Sequence, residues 1–179
     1  MKQNLILTGM PASGKSTLGA LLAPVLGMDF LDTDRVVEDY LGEPLQNTIS
    51  TKGIPYFLSK EEEAILTLHV EGTVIATGGS VPYSQRAMDH LRQNGLCVYL
   101  AVPYGTLAAR LSDLDTRGVV IPRGMTLLDL CRQREPYYQR FADLIFHTFC
   151  TDGIDPPPQR HADALLSLLE LDSRWHPQP

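Results

Sequence analysis

An eight-residue segment near the start of the chain narrows its possible folds sharply. Residues 9–16 read Gly-Met-Pro-Ala-Ser-Gly-Lys-Ser, which fits the pattern G-x-x-x-x-G-K-[ST]. The apolar triplet Leu5-Ile6-Leu7 precedes the segment, and leucines at helical spacing follow it. Four residues between the glycines let successive backbone N–H groups point inward at a phosphate, and the following helix adds its positive dipole end. The segment therefore predicts a phosphate-binding loop between a strand and a helix.

The loop also carries the side chains that nucleotide chemistry requires. Lys15 can reach the β- and γ-phosphates of a nucleotide, and the Ser16 hydroxyl can ligate Mg²⁺. ATP and Mg²⁺ are therefore the expected cofactors, and the expected nucleotide ligands in the loop are Ala12, Ser13, Gly14, Lys15, Ser16 and Thr17. The Asn-Lys-x-Asp string of guanine-specific proteins does not occur, and 179 residues are too few for a large ATPase motor. The length favours a small P-loop kinase.

A pair of carboxylates follows the second predicted strand, which covers Met28 to Leu31. In the sequence Asp32-Thr33-Asp34, two carboxylates two residues apart at a strand end would point to the same side, toward the mouth of the loop. One could hold Mg²⁺ through water, and the other could accept a proton or a hydrogen bond from an acceptor hydroxyl. The alternative is a helix N-cap at Asp32 or Thr33, with Asp34 in the first turn.

Strands and helices alternate along the rest of the chain. Further strands are predicted at 73–76, 96–102 and 144–146, and the predicted helices cover 16–26, 33–41, 56–70, 84–93, 104–111, 127–141 and 162–171. Such alternation predicts a parallel sheet covered on both faces, with ligands bound outside the carboxyl ends of the strands. The segment 112–124 lacks an apolar period, so neither a helix nor a strand is predicted there, and the tail 172–179 is expected to be loose.

Composition excludes several classes of protein. The net charge is −6 and no basic face is apparent, so polymeric nucleic acid is not an expected partner. No apolar run approaches the ~20 residues of a membrane-spanning helix, so no membrane association is expected. The three cysteines are widely spaced and do not form a disulfide framework. We therefore expect a reducing, cytoplasmic setting, a small-molecule substrate and a monomer.

Six motifs, taken in order, resemble the shikimate kinase family from about residue 4 to 147. They are the phosphate-binding loop, Asp32-Thr33-Asp34, Phe57 to Glu61, Ala76-Thr77-Gly78-Gly79, Val98-Tyr99-Leu100 leading to Arg110-Leu111, and Arg134-Glu135-Pro136-Tyr137-Tyr138. The resemblance implies a P-loop kinase with three α/β/α layers and a five-stranded parallel sheet of order 2-3-1-4-5. It also implies a single kinase domain over residues 1–171, with a substrate-binding flap at 33–62 and a lid at 112–124.

The resemblance further implies a role for each matching residue. The implied catalytic residues are Lys15, Asp34 and Arg117, and the implied Mg²⁺ ligands are Ser16 and Asp32. Arg110 and Arg117 would lie against the nucleotide, with Arg117 closing over the phosphates from the lid. The implied acceptor-binding residues are Asp34, Glu61, Gly78, Gly79 and Arg134, of which Arg134 would pair with an acceptor carboxylate.

The chain departs from the family at three positions, which hold Leu58, Ser80 and Gly118. Leu58 replaces an arginine that would help Arg134 clamp the acceptor carboxylate. Without that arginine, Glu61 must be protonated, solvated or matched by a cation, either Lys60 or an amine of the substrate. We therefore expect a kinase that phosphorylates a hydroxyl of a small carboxylate-bearing acceptor, shikimate by resemblance. The alternatives are a kinase of a hydroxylated amino acid such as homoserine, another P-loop kinase acting on a sugar acid or nucleotide, and a non-catalytic nucleotide-binding regulator.

Overall fold

A computed structural model describes residues 3–112, 124–149 and 155–176, and its centre is a five-stranded parallel sheet. The strand order β2-β3-β1-β4-β5 confirms the expected order. Leu5 pairs with Val74 on one side and with Leu96 on the other, so β1 is the central strand. The strands are β1 (Asn4–Thr8), β2 (Asp29–Asp32), β3 (Thr73–Ala76), β4 (Gly95–Ala101) and β5 (Leu144–His147).

Helices cover both faces of the sheet. They are α1 (Lys15–Val25), α2 (Thr33–Leu41), α3 (Leu45–Lys52), α4 (Ile54–Leu66), α5 (Gln85–Arg92), α6 (Tyr104–Ser112), α7 (Leu127–Phe141) and α8 (Pro158–Leu171), with a 3₁₀ turn at Val81–Tyr83. Leu5 and Leu7 of β1 pack in a cluster with residues of α1 and α8. Ile6, which points to the opposite face, packs with residues of α4, α5 and α7. This alternation builds the three layers that the sequence predicts.

Three helices differ from the sequence prediction by more than one residue at an end. Helix α4 covers Ile54–Leu66 rather than 56–70. Helix α3 was not predicted, because Leu45 and Ile49 are its only two apolar residues and show no helical period. In the structure they pack in a local cluster with residues of α2 and α4. Helix α8 begins at Pro158 rather than at 162, since proline lacks an N–H that the first helical turn would leave unpaired in any case. Among the described helices, none has both the length and the apolar character needed to cross a bilayer.

The segment after α8 also differs from the expectation of a loose tail. Trp175 is only 6% exposed and belongs to the same apolar cluster as α1 and α8. Gln3 donates to the carbonyl of Arg174 at 3.1 Å and accepts from the backbone N–H of His176 at 3.0 Å. The large apolar area of the indole favours this docking. Residues 177–179 lie outside the described part of the chain.

Candidate active site

The phosphate-binding loop joins β1 to α1 at the carboxyl end of the central strand. Gly9 has a φ of +148°, and a Cβ there would lie 2.9 Å from the carbonyl oxygen of Leu100, so only glycine fits. Gly14 has a φ of +94° and precedes the first residue of α1. Because glycine has no side chain to cap the helix, the N–H groups of its first turn are left for a ligand. The loop therefore has the form expected of an anion cradle.

Lys15 is folded over this loop. Its Nζ donates to the carbonyl oxygens of Gly9 at 2.9 Å and Met10 at 2.8 Å. Burial lowers the pKa of Lys15 to about 8, and the nearby carboxylates of Asp34 and Asp32 oppose that shift. A phosphate in the loop would supply the strong anionic partner that the carbonyls do not.

Ser16 and Asp32 bring two oxygen atoms together beside the loop. The Ser16 Oγ donates to Asp32 Oδ2 at 2.6 Å, while Asp32 Oδ1 accepts from the backbone N–H of Asp34 at 3.0 Å. Asp32 is therefore the N-cap of α2, as the alternative interpretation held, and it still contacts the loop. A hydroxyl and a carboxylate suit Mg²⁺, which prefers oxygen ligands. The described residues contain no group of three or more acidic, His or Cys side chains that could hold a metal, so phosphate and water would complete the coordination.

Asp34 lines the same cleft as the phosphate loop. A Cβ on Gly78 would be 2.7 Å from Asp34 Oδ1 and 2.8 Å from Glu61 Oε1, so the two carboxyl groups meet at this glycine. Protein surrounds much of the Asp34 carboxylate, although solvent reaches it through the cleft. This burial, followed by the charge of Asp32, raises the pKa of Asp34, and Lys15 opposes the shift. Asp34 is thus close to both the phosphate loop and the expected acceptor.

Glu61 is buried in the wall of the cleft, with only 3% of its surface exposed. The Ser80 hydroxyl donates to its Oε1 at 2.9 Å. Burial raises the pKa of Glu61 to about 8, against the opposing effects of Ser80 and Arg134. Lys60 instead forms an ion pair with Glu63 at 2.6 Å. Of the states that the sequence left open for Glu61, the structure favours the protonated one, with Ser80 as its partner.

Arg134 lines the cleft from α7 and is 9% exposed. Its Nε donates to the Tyr83 hydroxyl at 3.2 Å, and its guanidinium carbon lies 5.5 Å from the centre of the Tyr83 ring. A Cβ on Gly79 would be 2.9 Å from Arg134 Nη1. The hydroxyl of Tyr138 donates to the Gly79 carbonyl at 2.8 Å and fixes this turn. Tyr83 and Gly79 therefore hold the guanidinium in place.

Leu58 lines the same cleft, where the resemblance implies a second arginine. It is half-buried and packs against a cluster of apolar residues from the flap. Ile49, Ile54 and Phe57 also face the cleft. The acceptor end of the cleft therefore combines the guanidinium of Arg134 with an apolar side.

Arg110 approaches the phosphate loop from α6. Its Nη1 donates to the Ala12 carbonyl at 2.9 Å, and its Nε and Nη2 donate to the carboxylate of Asp155 at 2.6 and 2.8 Å. This places Arg110 beside the expected nucleotide. Arg117, and the lid residues 113–123 that contain it, lie outside the described part of the chain.

Sequence reasoning missed several groups at this site. Asp155 holds Arg110, Tyr83 holds Arg134, and Arg35 lines the cleft beside Asp34. None of the three belongs to the motifs quoted above. Ser80 was noted only as a departure from glycine, although a hydroxyl two residues beyond Gly78 is a possible partner for a buried carboxyl group.

The comparisons with known proteins agree with this geometry. The family model for shikimate kinase matches residues 11–164. A shikimate kinase of Clostridium botulinum (strain Okra / Type B1) is 34% identical over 177 residues, which cover 97% of this chain and 98% of that protein. The solved structure of shikimate kinase from Acinetobacter baumannii in complex with shikimate is similar to this chain with a TM-score of 0.81 at 26% identity, and the match covers 95% of this chain and 94% of that one.

A second group of relatives is much longer. Human Threonine synthase-like 1 is 34% identical over 173 residues, which cover 94% of this chain and 22% of that protein. The chain therefore spans about a fifth of the length of these relatives.

A parallel sheet of order 2-3-1-4-5, with a phosphate loop at its central strand, is the fold of the P-loop kinases. The match over residues 11–164 then narrows the class. The chain belongs to the shikimate kinase family.

Gly78→Ala is expected to lower kcat/KM by about 10²-fold, because the new Cβ displaces Asp34 and Glu61 and small misplacements at a reacting centre are costly. The matched control is Gly105→Ala in α6, where a Cβ meets nothing within 4 Å. Steady-state kinetics on both variants, with Tm as a check on folding, measure the effect. Equal kcat/KM for the two variants would contradict the proposed closeness of Gly78 to the reacting groups.

Proposed function

We propose that this protein transfers the γ-phosphate of ATP to a hydroxyl of a small carboxylate-bearing acceptor, for which the family resemblance suggests shikimate. One observation carries the proposal: Lys15 of the phosphate loop, Asp34 and Arg134 all line one cleft, and Asp34 is close enough to Lys15 to oppose the lowering of its pKa. An acceptor whose carboxylate pairs with Arg134 can present a hydroxyl to Asp34 and to the phosphate.

Each of these residues contributes a separate part of the reaction. The N–H groups of the loop and Lys15 hold the β- and γ-phosphates, and Mg²⁺ held by Ser16 and Asp32 would neutralise charge on them. Asp34 orients the acceptor hydroxyl and takes its proton as the new O–P bond forms and the bond to the β-phosphate oxygen breaks. ADP leaves with the electrons of the broken bond. Arg117 is proposed to close over the phosphates.

A hydroxylated amino acid such as homoserine is the second candidate acceptor. The match to proteins named Threonine synthase-like 1 favours it, since threonine is itself a hydroxylated amino acid. Asp34, which solvent reaches, could also pair with an ammonium group. A non-catalytic regulator is disfavoured, because a protein that only binds nucleotide has no need to retain Asp34 and Arg117.

The test is an ADP-release assay with ATP, Mg²⁺ and a panel of shikimate, homoserine and gluconate, together with calorimetry of MgATP binding. We expect MgATP to bind and shikimate to stimulate ADP release. Turnover of shikimate without homoserine activity would eliminate the amino-acid candidate. Binding of MgATP with no acceptor turned over would favour the regulator, and the absence of MgATP binding by folded protein would overturn the proposal entirely.

A further inference from the structure

We propose that Glu61 and Ser80 form a neutral hydrogen-bonded pair that makes the acceptor end of the cleft select a monoanionic hydroxy acid over a zwitterionic hydroxy amino acid. This inference rests on the proposed function, because it concerns the acceptor of the same reaction. It assigns a specificity role to a residue, Ser80, at which the chain departs from its family.

The surroundings of Glu61 enclose its carboxyl group. The side chain is 3% exposed, its Oε1 accepts from the Ser80 hydroxyl at 2.9 Å, and the backbone at Gly78 approaches the same oxygen. Leu58 stands three residues earlier on α4 and therefore lies on the same side of that helix. The Ser80 hydroxyl therefore supplies a hydrogen bond to the Glu61 carboxyl group, and Gly78 and Leu58 cover it. None of the three adds positive charge.

Among the residues that the structure describes, no cation around α4 forms an ion pair with Glu61. Asp34 faces it from α2 and disfavours its ionisation, whereas Arg134 acts from α7 in the opposite direction. Arg134 forms no ion pair with Glu61 within 4.0 Å in the described part of the chain.

Two other cations near α4 are already paired, whereas Arg35 of α2 lines the cleft and is not among the causes of the pKa shift of Glu61. Lys60 pairs with Glu63 at 2.6 Å, and Arg86 of α5 pairs with Glu62 at 2.6 Å. Burial is therefore the largest influence on the ionisation of Glu61 and raises its pKa to about 8. At pH 7 the carboxyl group is then mostly neutral.

This neutral state preserves the charge balance of the acceptor end. Leucine at position 58 removes one positive charge relative to the arginine that the resemblance implies, and protonation of Glu61 removes one negative charge. The sum is unchanged, so an acceptor carboxylate meets Arg134 without a competing anion at Glu61. An ammonium group placed against Glu61 would find a neutral acid and the apolar surface of Leu58. It could gain an ion pair only with Asp34, where it would compete with the acceptor hydroxyl.

The experiment compares wild type, Glu61→Gln and the control Glu62→Gln, which changes the neighbouring residue that pairs with Arg86 outside the cleft. KM values for shikimate, homoserine and ATP are measured from pH 6.5 to 9.5. In wild type and E62Q we expect the shikimate KM to rise about tenfold as Glu61 ionises and repels the carboxylate. In E61Q that pH dependence should disappear. The KM for ATP reports on Lys15, whose pKa is about 8, so its pH dependence should be the same in all three proteins.

Thermal unfolding without substrate provides a readout independent of activity. The raised pKa means that the folded state holds a proton on Glu61 that the unfolded state loses above its ordinary pKa of 4.5. The stabilisation linked to this proton is therefore present below pH 4.5 and is lost as the pH rises toward 8. Relative to wild type, E61Q should gain about 3 °C or more in Tm between pH 5 and pH 9, whereas E62Q should not.

Three results would overturn the inference: a pH-independent shikimate KM in wild type, the same pH dependence of Tm in wild type and E61Q, or a kcat/KM for homoserine equal to or above that for shikimate. If MgATP binds but neither acceptor is turned over, the proposed function fails, while the inference about Glu61 is still open to test. Calorimetry of shikimate at pH 7 and 9.5 then decides: weaker binding at pH 9.5 in wild type but not in E61Q supports the inference, and equal or absent binding overturns it.

Discussion

Asp34→Asn is expected to lower kcat by about 10²–10⁴-fold, which is the range that a positioned general base contributes. Asparagine keeps the shape of the side chain but cannot take the proton of the acceptor hydroxyl. Asp34 is the carboxylate that lies in the cleft close to both Lys15 and the Gly78 turn. Steady-state kinetics with saturating MgATP and shikimate, or homoserine if that is the better acceptor, measure the loss.

The control for this variant is Asp39→Asn, which makes the same change at an exposed position five residues further along α2. Its kcat should match wild type. Calorimetry should show that D34N still binds MgATP, because the loop and Lys15 are untouched. A kcat for D34N within fivefold of wild type would contradict the assignment of Asp34 as the base.

Leu58→Arg is expected to lower the KM for shikimate by about ten- to a hundredfold, equivalent to a charge-assisted hydrogen bond of about 1.5–3 kcal/mol. The new guanidinium would stand beside Glu61 on the same side of α4 and face the cleft that Arg134 lines. It would also favour ionisation of Glu61, so the pKa of that carboxyl group should fall. The measurement is the shikimate KM at pH 7, with kcat recorded alongside it.

Leu58→Met is the matched control, since it preserves the size and apolar character of the side chain. It should leave the KM for shikimate close to the wild-type value. Because Leu58 packs against the flap cluster, Tm is measured for both variants. A folded L58R protein with an unchanged KM for shikimate would show that the acceptor carboxylate does not lie between positions 58 and 134.

The central part of the fold was predictable because its signals are local. The phosphate-loop motif, the apolar strands and the regular alternation with helices belong to short segments, and the strand order followed from the family resemblance. Helix α3 was missed because Leu45 and Ile49 are too few to display a helical period. The docking of Trp175 was not predicted, because it depends on an apolar cluster that only the folded chain presents.

In the candidate site, too, residues in local motifs were predictable and contacts between distant parts of the chain were not. Lys15, Ser16 and Asp32 stand in motifs whose spacing brings them together. The partners of Arg110 and Arg134 lie 45 and 51 residues away along the chain, at Asp155 and Tyr83, and no local pattern indicates them. For Glu61, the sequence indicated a missing cation, and the structure instead provides a hydroxyl donor from the turn after β3.

The contacts of Gln3 with Arg174 and His176 bring the first and last described residues side by side. A polypeptide can therefore enter and leave this domain at one point on its surface, and sequences attached at either end need not cross the cleft. Domains with adjacent ends are tolerated as modules inside longer proteins. This geometry offers a physical reason why a unit of this fold can occupy about a fifth of proteins as long as Threonine synthase-like 1.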